Sequence, residues 1–169
     1  MVYEACSLSR KGHTMRITKR TNIAVRVLMY CGVNLNRLVT KAEIAGPCNA
    51  SENHLAQVIN RLAQAGFIRT QRGRKGGLQL ARAPGDIVIG EVFREFESEV
   101  PLAECFADVD NTCPLVDACR LRLAITDAAD AFYAHLDGVT LDALICENDP
   151  LKALLGSVPC QGASRPVPA

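Results

Sequence analysis

The stretch Ser51-Glu-Asn-His-Leu-Ala-Gln-Val-Ile-Asn-Arg-Leu-Ala-Gln-Ala-Gly66, continuing into Phe67-Ile-Arg-Thr-Gln-Arg-Gly-Arg-Lys-Gly-Gly-Leu-Gln-Leu80, decides the fold. Leu55, Val58, Ile59 and Leu62 recur at helical spacing, so one face of a helix is apolar. Ser51 stands where a hydroxyl can cap the first turn, and Gly66 where a left-handed residue ends it. Two short β-like runs then flank a tip containing Gly73, Gly76 and Gly77, which predicts a hairpin.

Upstream, Ile23, Ala24, Val27, Leu28 and Cys31 predict a helix from Thr21 that ends near Gly32-Val33-Asn34. A short second helix runs from a Thr40 cap through Ile44 and Ala45, and Gly46-Pro47 breaks it. Helix, short helix, tight turn, helix and basic hairpin is the order of a winged helix-turn-helix. The fold class expected is mostly α, a winged helix-turn-helix with a β-hairpin wing and a long C-terminal helix. Residues 1–14 show no periodicity and read as a disordered tail, and 15–85 form the winged helix-turn-helix domain.

Net charge of +1 conceals a division. Residues 1–85 carry fourteen Lys and Arg against three Asp and Glu, giving +11, and the remainder carries five against fifteen, giving −10. A front half so basic suits a polyanion, and the acidic back half needs another task.

The third helix would lie in a major groove with Glu52, Asn53, His54 and Gln57 outward from the Ser51 cap. Asn and Gln can bond adenine bidentately, and Glu accepts from the cytosine amino group. Taken alone, these are equally ordinary solvated helix positions. The hairpin tips the balance, because Arg69, Arg72, Arg74, Lys75 and Arg82 occur with no acid among them. Arg72, Arg74 and Lys75 project from a tip whose glycines let backbone approach a phosphate or a narrow minor groove. Double-stranded DNA is the expected partner.

Residues 86–155 read as a cluster-binding loop and the helices around it. Ile87–Glu97 is amphipathic, with Val88, Val92 and Phe96 inward, and a long helical pattern runs from about Leu115 to Leu136 with Leu121, Ile125, Ala128, Ala129 and Phe132 on one stripe. Thr140 caps a short last helix, and 156–169 form a proline-bearing flexible tail.

Between those helices lies Glu104-Cys-Phe-Ala-Asp-Val-Asp-Asn-Thr-Cys-Pro-Leu-Val-Asp-Ala-Cys119. Three thiols crowded into a polar stretch bury nothing, and outside an oxidising compartment they hold a metal or do redox chemistry. The spacing Cys-x7-Cys-x5-Cys lacks the close pair of structural zinc sites and suits the wider cage of an iron–sulfur cluster, [4Fe-4S] or [2Fe-2S]. Cys105, Cys113 and Cys119 are therefore the expected cofactor and metal ligands. Cys119 would fall in the first turns of the long helix, where the positive dipole end favours a thiolate. For a fourth ligand, Glu104, Asp108 and Asp110 are local, while Asn22, His135, Cys31 and Cys146 are distant. Cys31, Cys48 and Cys146, at apolar or turn positions, read instead as core cysteines.

No apolar run reaches the roughly 18 residues of a membrane span, and the N-terminus lacks a signal-peptide core, so the cytoplasm is expected. No Cys-x-x-Cys, nucleophile–base pair or phosphate-cradling motif points to an enzyme. A zinc-stabilised or thiol-switch DNA binder without a cluster is the competing reading.

The chain resembles the Rrf-type (BadM-like) iron–sulfur winged-helix regulators from Met15 to about Leu155. The resemblance rests on Met15-Arg-Ile-Thr-Lys-Arg-Thr-Asn-Ile-Ala-Val-Arg26, Ser51-Glu-Asn-His-Leu, Ala65-Gly-Phe-Ile, Arg72-Gly-Arg-Lys-Gly-Gly77 and the cysteine triad followed by Arg-Leu. It implies a homodimeric repressor whose long helix forms the dimer interface and whose cluster, on Cys105, Cys113 and Cys119, controls DNA affinity. The Asn53-His54-Leu55 neighbourhood is similar to the nitric-oxide-responsive NsrR branch. The Met15–Arg26 segment and the x7 gap are similar to the iron-responsive RirA branch. NsrR-like proteins carry an aspartate, able to supply the fourth ligand from the partner subunit, where this chain has Asn22. An amide oxygen is a neutral, weak iron ligand.

Overall fold

The computed structural model describes residues 17–73, 76–98, 101–106 and 111–156, with only the backbone of Glu104. The expected tail 1–14, the wing-tip pair Arg74 and Lys75, Asp108, Asp110 and nearly all of the C-terminal tail lie outside the described residues.

Helix α1, Lys19–Val33, is the hub. Thr18 caps it by accepting from the Thr21 N–H, and Ile23, Ala24, Val27, Leu28, Cys31 and Val33 are buried. Its apolar positions cover more than one stripe because helices pack on several sides of it. They are α3 (Glu52–Gln64), α4 (Ile89–Glu97) and α6 (Leu141–Ile145), with α7 (Asp149–Leu155) touching its end. Helix α2, Lys41–Ala45, is held by a capping box in which Thr40 accepts from the Glu43 N–H and Glu43 accepts from the Thr40 N–H.

Strands β1 (Ile68–Gln71) and β2 (Gly77–Leu80) form the antiparallel wing, with Ile68 opposite Leu80 and Thr70 opposite Leu78. Val39 adds a bridge to Leu78, exchanging bonds of 3.0 and 2.8 Å, so the wing is sewn to the segment before α2. Gly66 takes φ +75° after α3, as its place behind the last turn predicted.

Between β2 and α4, Pro84–Asp86 makes one 3-10 turn. Helix α4 begins at Ile89 rather than Ile87, and Val88, expected inside, is its half-exposed N-cap. Ile87 and Ile89 take the buried places on either side of it. That reversal follows from extended backbone: Val88 pairs with Thr140, so alternate side chains point to opposite faces.

The long helix α5 spans Arg120–Asp137, starting about five residues later than its apolar pattern suggested. Leu115 and Val116 fall instead in a turn and a 3-10 segment, Val116–Ala118. Not one of the 18 residues of α5 is buried, and Leu121 and Leu123 are 67% and 65% exposed. One side of it meets α4, where Phe93 and Phe132 pack edge-to-face at 5.8 Å and Arg94 forks onto Asp137 at 2.6 Å. A Cβ at Gly90 would meet the Asp137 carboxylate that Arg94 holds, so a larger residue here would force that ion pair to shift. Helix α7, begun by the Asn148 cap and Pro150, was not separated from α6 in the sequence.

Candidate nucleic-acid interface and thiol loop

Helix α3 is anchored from beneath and bare above. Leu55, Val58 and Leu62 are fully buried, with Ile59 half-buried beside them. The Ser51 hydroxyl accepts from the His54 N–H at 3.4 Å. That leaves Ser51, Glu52, Asn53, Ala56, Gln57 and Asn60 exposed and His54 partly so. The turn before it is tied down by Arg26, whose guanidinium donates to the Cys48 carbonyl at 3.0 Å. Asn49 supplies a left-handed residue there, φ 46°, which asparagine tolerates better than most. Glu52 pairs with Lys41 of α2 at 3.1 Å, so this base-reading candidate is oriented by a neighbouring cation.

The cations of the front half divide into two groups. Arg37 pairs with Glu43 at 2.8 Å, and its guanidinium, with the Thr40 N–H, holds the Glu43 carboxyl below the usual carboxylate range. Arg82, counted with the wing by its place in the sequence, turns back onto the body. It lies 4.7 Å over the Phe67 ring and forks onto Glu91 at 3.1 Å. Arg69 and Arg72 are exposed on the wing and form no ion pair among the described residues. Gly73, φ +114°, turns the chain at the tip.

The thiols divide in the same way. Cys31 and Cys48 are each 1% exposed, and burial pushes their thiols up to about 12 and about 11. Cys146 is also buried, its Sγ donating to Asp142 Oδ1 at 2.9 Å. Cys105, Cys113 and Cys119 are half-exposed. Cys105 is central in the 3-10 turn Glu104–Phe106. The Cys113 N–H donates to Asn111 Oδ1 at 3.1 Å. Cys119 is the N-cap of α5, one position outside the helix turns where it was expected, and makes no side-chain capping bond.

Among the described residues no group of three or more His, Cys, Asp and Glu side chains is gathered closely enough to hold a metal ion. The donor chemistry nevertheless fits a cluster: three accessible soft sulfurs with no packing role. Asn22 is exposed in the first turns of α1, and His135 in the last turn of α5. Missed in the sequence was the closure of the loop's two ends, where Arg122 of α5 stacks on Phe106.

No helix among the described residues is long and apolar enough to cross a membrane. Residues 17–147 match the family Rrf2, described as an iron-dependent transcriptional regulator. The HTH-type transcriptional regulator NsrR of Geobacillus kaustophilus is 41% identical over 142 residues, covering 83% of this chain and 97% of that protein. Protein aau3 of Rhizobium meliloti is 41% identical over the same length, covering 84% and 92%. Among solved structures, oxidised CymR of Staphylococcus aureus superposes with a TM-score of 0.61 at 24% identity, covering 78% of this chain and 96% of that one. IscR of T. potens gives 0.62 at 22% identity, covering 88% and 95%. At such identities the two structures speak for the fold, that of winged-helix regulators.

Proposed function

Since this chain belongs to the Rrf2 family of transcriptional regulators, we propose that it is a homodimeric, cytoplasmic repressor whose DNA affinity is set by an iron–sulfur cluster sensing nitric oxide. The single observation that carries this reading is the thiol loop. Cys105, Cys113 and Cys119 are half-exposed, unlike the three core cysteines, and they lead into a helix none of whose residues is fully buried in its own chain.

The Cys105, Cys113 and Cys119 sulfurs would hold the cluster as thiolates. When bound, it supplies a site that nitric oxide or iron shortage can attack. Leu121, Ile125 and Ala128 share one stripe of helix α5 and none of them is buried, an apolar surface suited to a second copy. Cys119 begins that helix, so freeing the loop shifts its first turn and with it the partner. Ser51, Glu52, Asn53, His54 and Gln57 read base edges, while Arg72, Arg74 and Lys75 grip backbone or minor groove. Paired recognition helices must match a groove repeat of about 34 Å, so a small shift costs much affinity.

NsrR-named relatives at 37–41% identity favour the nitric oxide signal. Asn22 favours the second reading, an iron-responsive repressor, because a neutral amide binds iron weakly and leaves a cluster labile. A zinc or thiol switch on the same cysteines is the third. The test is visible absorption with iron and sulfide counts on protein purified without oxygen, followed by nitric oxide titration. A brown protein bleached at low nitric oxide ratios supports the first reading. Indifference to nitric oxide with loss to a chelator moves it to the second, and a protein that stays colourless after reconstitution leaves the third.

A further inference from the structure

We infer that Arg61 and Glu95 are positioning residues that transmit the state of the cysteine loop to the recognition helix, an inference that rests on the cluster-controlled reading above. Arg61 lies in the last turn of α3, one turn after Gln57 on the same face. Its Nε donates to Glu95 Oε1 at 2.9 Å, its Nη2 donates to the Glu95 main-chain carbonyl, and its guanidinium lies 5.4 Å over the Phe96 ring. The pair is partly shielded, with side chains 26% and 37% exposed, which makes it worth more than a fully solvated bridge.

Glu95, Phe96 and Glu97 form the last turn of α4, and Cys105 follows eight residues after Glu97. All three hold the DNA-reading half. Phe96 is buried, and Glu97 Oε1 accepts from the Thr18 N–H at 2.9 Å and from the Thr21 hydroxyl, fixing the start of α1. Farther back, α4 is clamped to α5 through Gly90 and through Arg94 with Asp137. Displacement of the loop therefore reaches α4 first at its C-terminal turn, where Arg61 is attached. Beside that attachment a surface pocket of about 220 Å³ is lined by Arg20, Gln57, Val58, Arg61 and Phe96.

The experiment compares operator affinity with and without cluster, at one salt concentration, in wild type, Glu95→Gln, Arg61→Gln and Arg61→Lys. Glu95→Gln keeps the main-chain carbonyl that Arg61 also uses, so it is the mild variant should Arg61→Gln not fold. Glu91→Gln, which removes the Arg82 pair on the same helix, is the control. Relay action predicts that Glu95→Gln and Arg61→Gln shrink the with-to-without ratio by about two- to thirtyfold at unchanged cluster absorption. Arg61→Lys should retain part of the ratio, and Glu91→Gln all of it. A wild-type ratio kept in both Gln variants overturns the relay alone. A wild-type ratio of one overturns the cluster reading and the relay with it.

Discussion

Arg122, in the first turn of α5, holds its guanidinium 5.6 Å over the ring of Phe106, the residue that follows Cys105. This contact brings the neighbour of the first loop cysteine to the helix that the third one caps. The ends of the thiol loop are thus joined without any thiol taking part. An exposed cation–π contact is worth about 0.5–1 kcal/mol, or roughly two- to fivefold in a rate. Phe106→Ala should speed cluster loss to a chelator by about that factor, read from the decay of visible absorption. Arg122→Lys should fall between the two.

The exposure of the cysteines predicts a division of reactivity. With cluster removed and the protein folded, alkylation near neutral pH should label Cys105, Cys113 and Cys119 and spare Cys31 and Cys48, as peptide mass mapping would show. Cys31→Ala should cost about 1–2 kcal/mol of stability through a small cavity yet leave cluster absorption intact. Ser at any loop position should abolish or strongly reduce that absorption.

Burial of Cys31 and Cys48 carries a pH consequence. Burial, with Cys48 adding its field, raises Cys31 from an ordinary 9.0 to about 12, and burial raises Cys48 to about 11. The folded state prefers the neutral thiol, so this contribution is fully present below about pH 9 and is lost as pH rises toward the folded values. Wild type should therefore lose more stability than Cys31→Ala between pH 8 and 10.5, read as the difference in denaturant midpoints.

Most of this was legible in the residues because local signals and burial agreed. Thr40, Ser51 and Gly66 bounded the helix-turn-helix to within a residue, since each acts on backbone beside it. Where distant segments decide, local pattern failed. Val88 is apolar yet turned outward by pairing with Thr140, 52 residues away. Leu115 sits at a helical interval yet belongs to a turn, five residues before α5 begins. Arg82 looked like a wing cation until Phe67 and Glu91 claimed it. The Arg61–Glu95 and Phe106–Arg122 contacts leave no periodic trace at all.

Separating spent cations from unspent ones gives a prediction about DNA. Arg72→Ala should weaken binding to all sequences alike and reduce the salt slope by about one. Gln57→Ala or Asn53→Ala should cost about 1–3 kcal/mol at one base position and little elsewhere. Arg82→Ala, by contrast, should lower stability more than it alters the salt slope. Fluorescence anisotropy against operator and scrambled duplexes across salt concentrations reads all of these.

The central claim, that the thiol loop governs DNA affinity, is tested most directly by one binding measurement. Protein purified without oxygen is divided, half is stripped of its cluster, and both halves are titrated against the same operator duplex. The account predicts a difference of tenfold or more, on the order of 1.4 kcal/mol, that disappears when Cys113→Ser replaces wild type. Equal affinity of the two halves would contradict it.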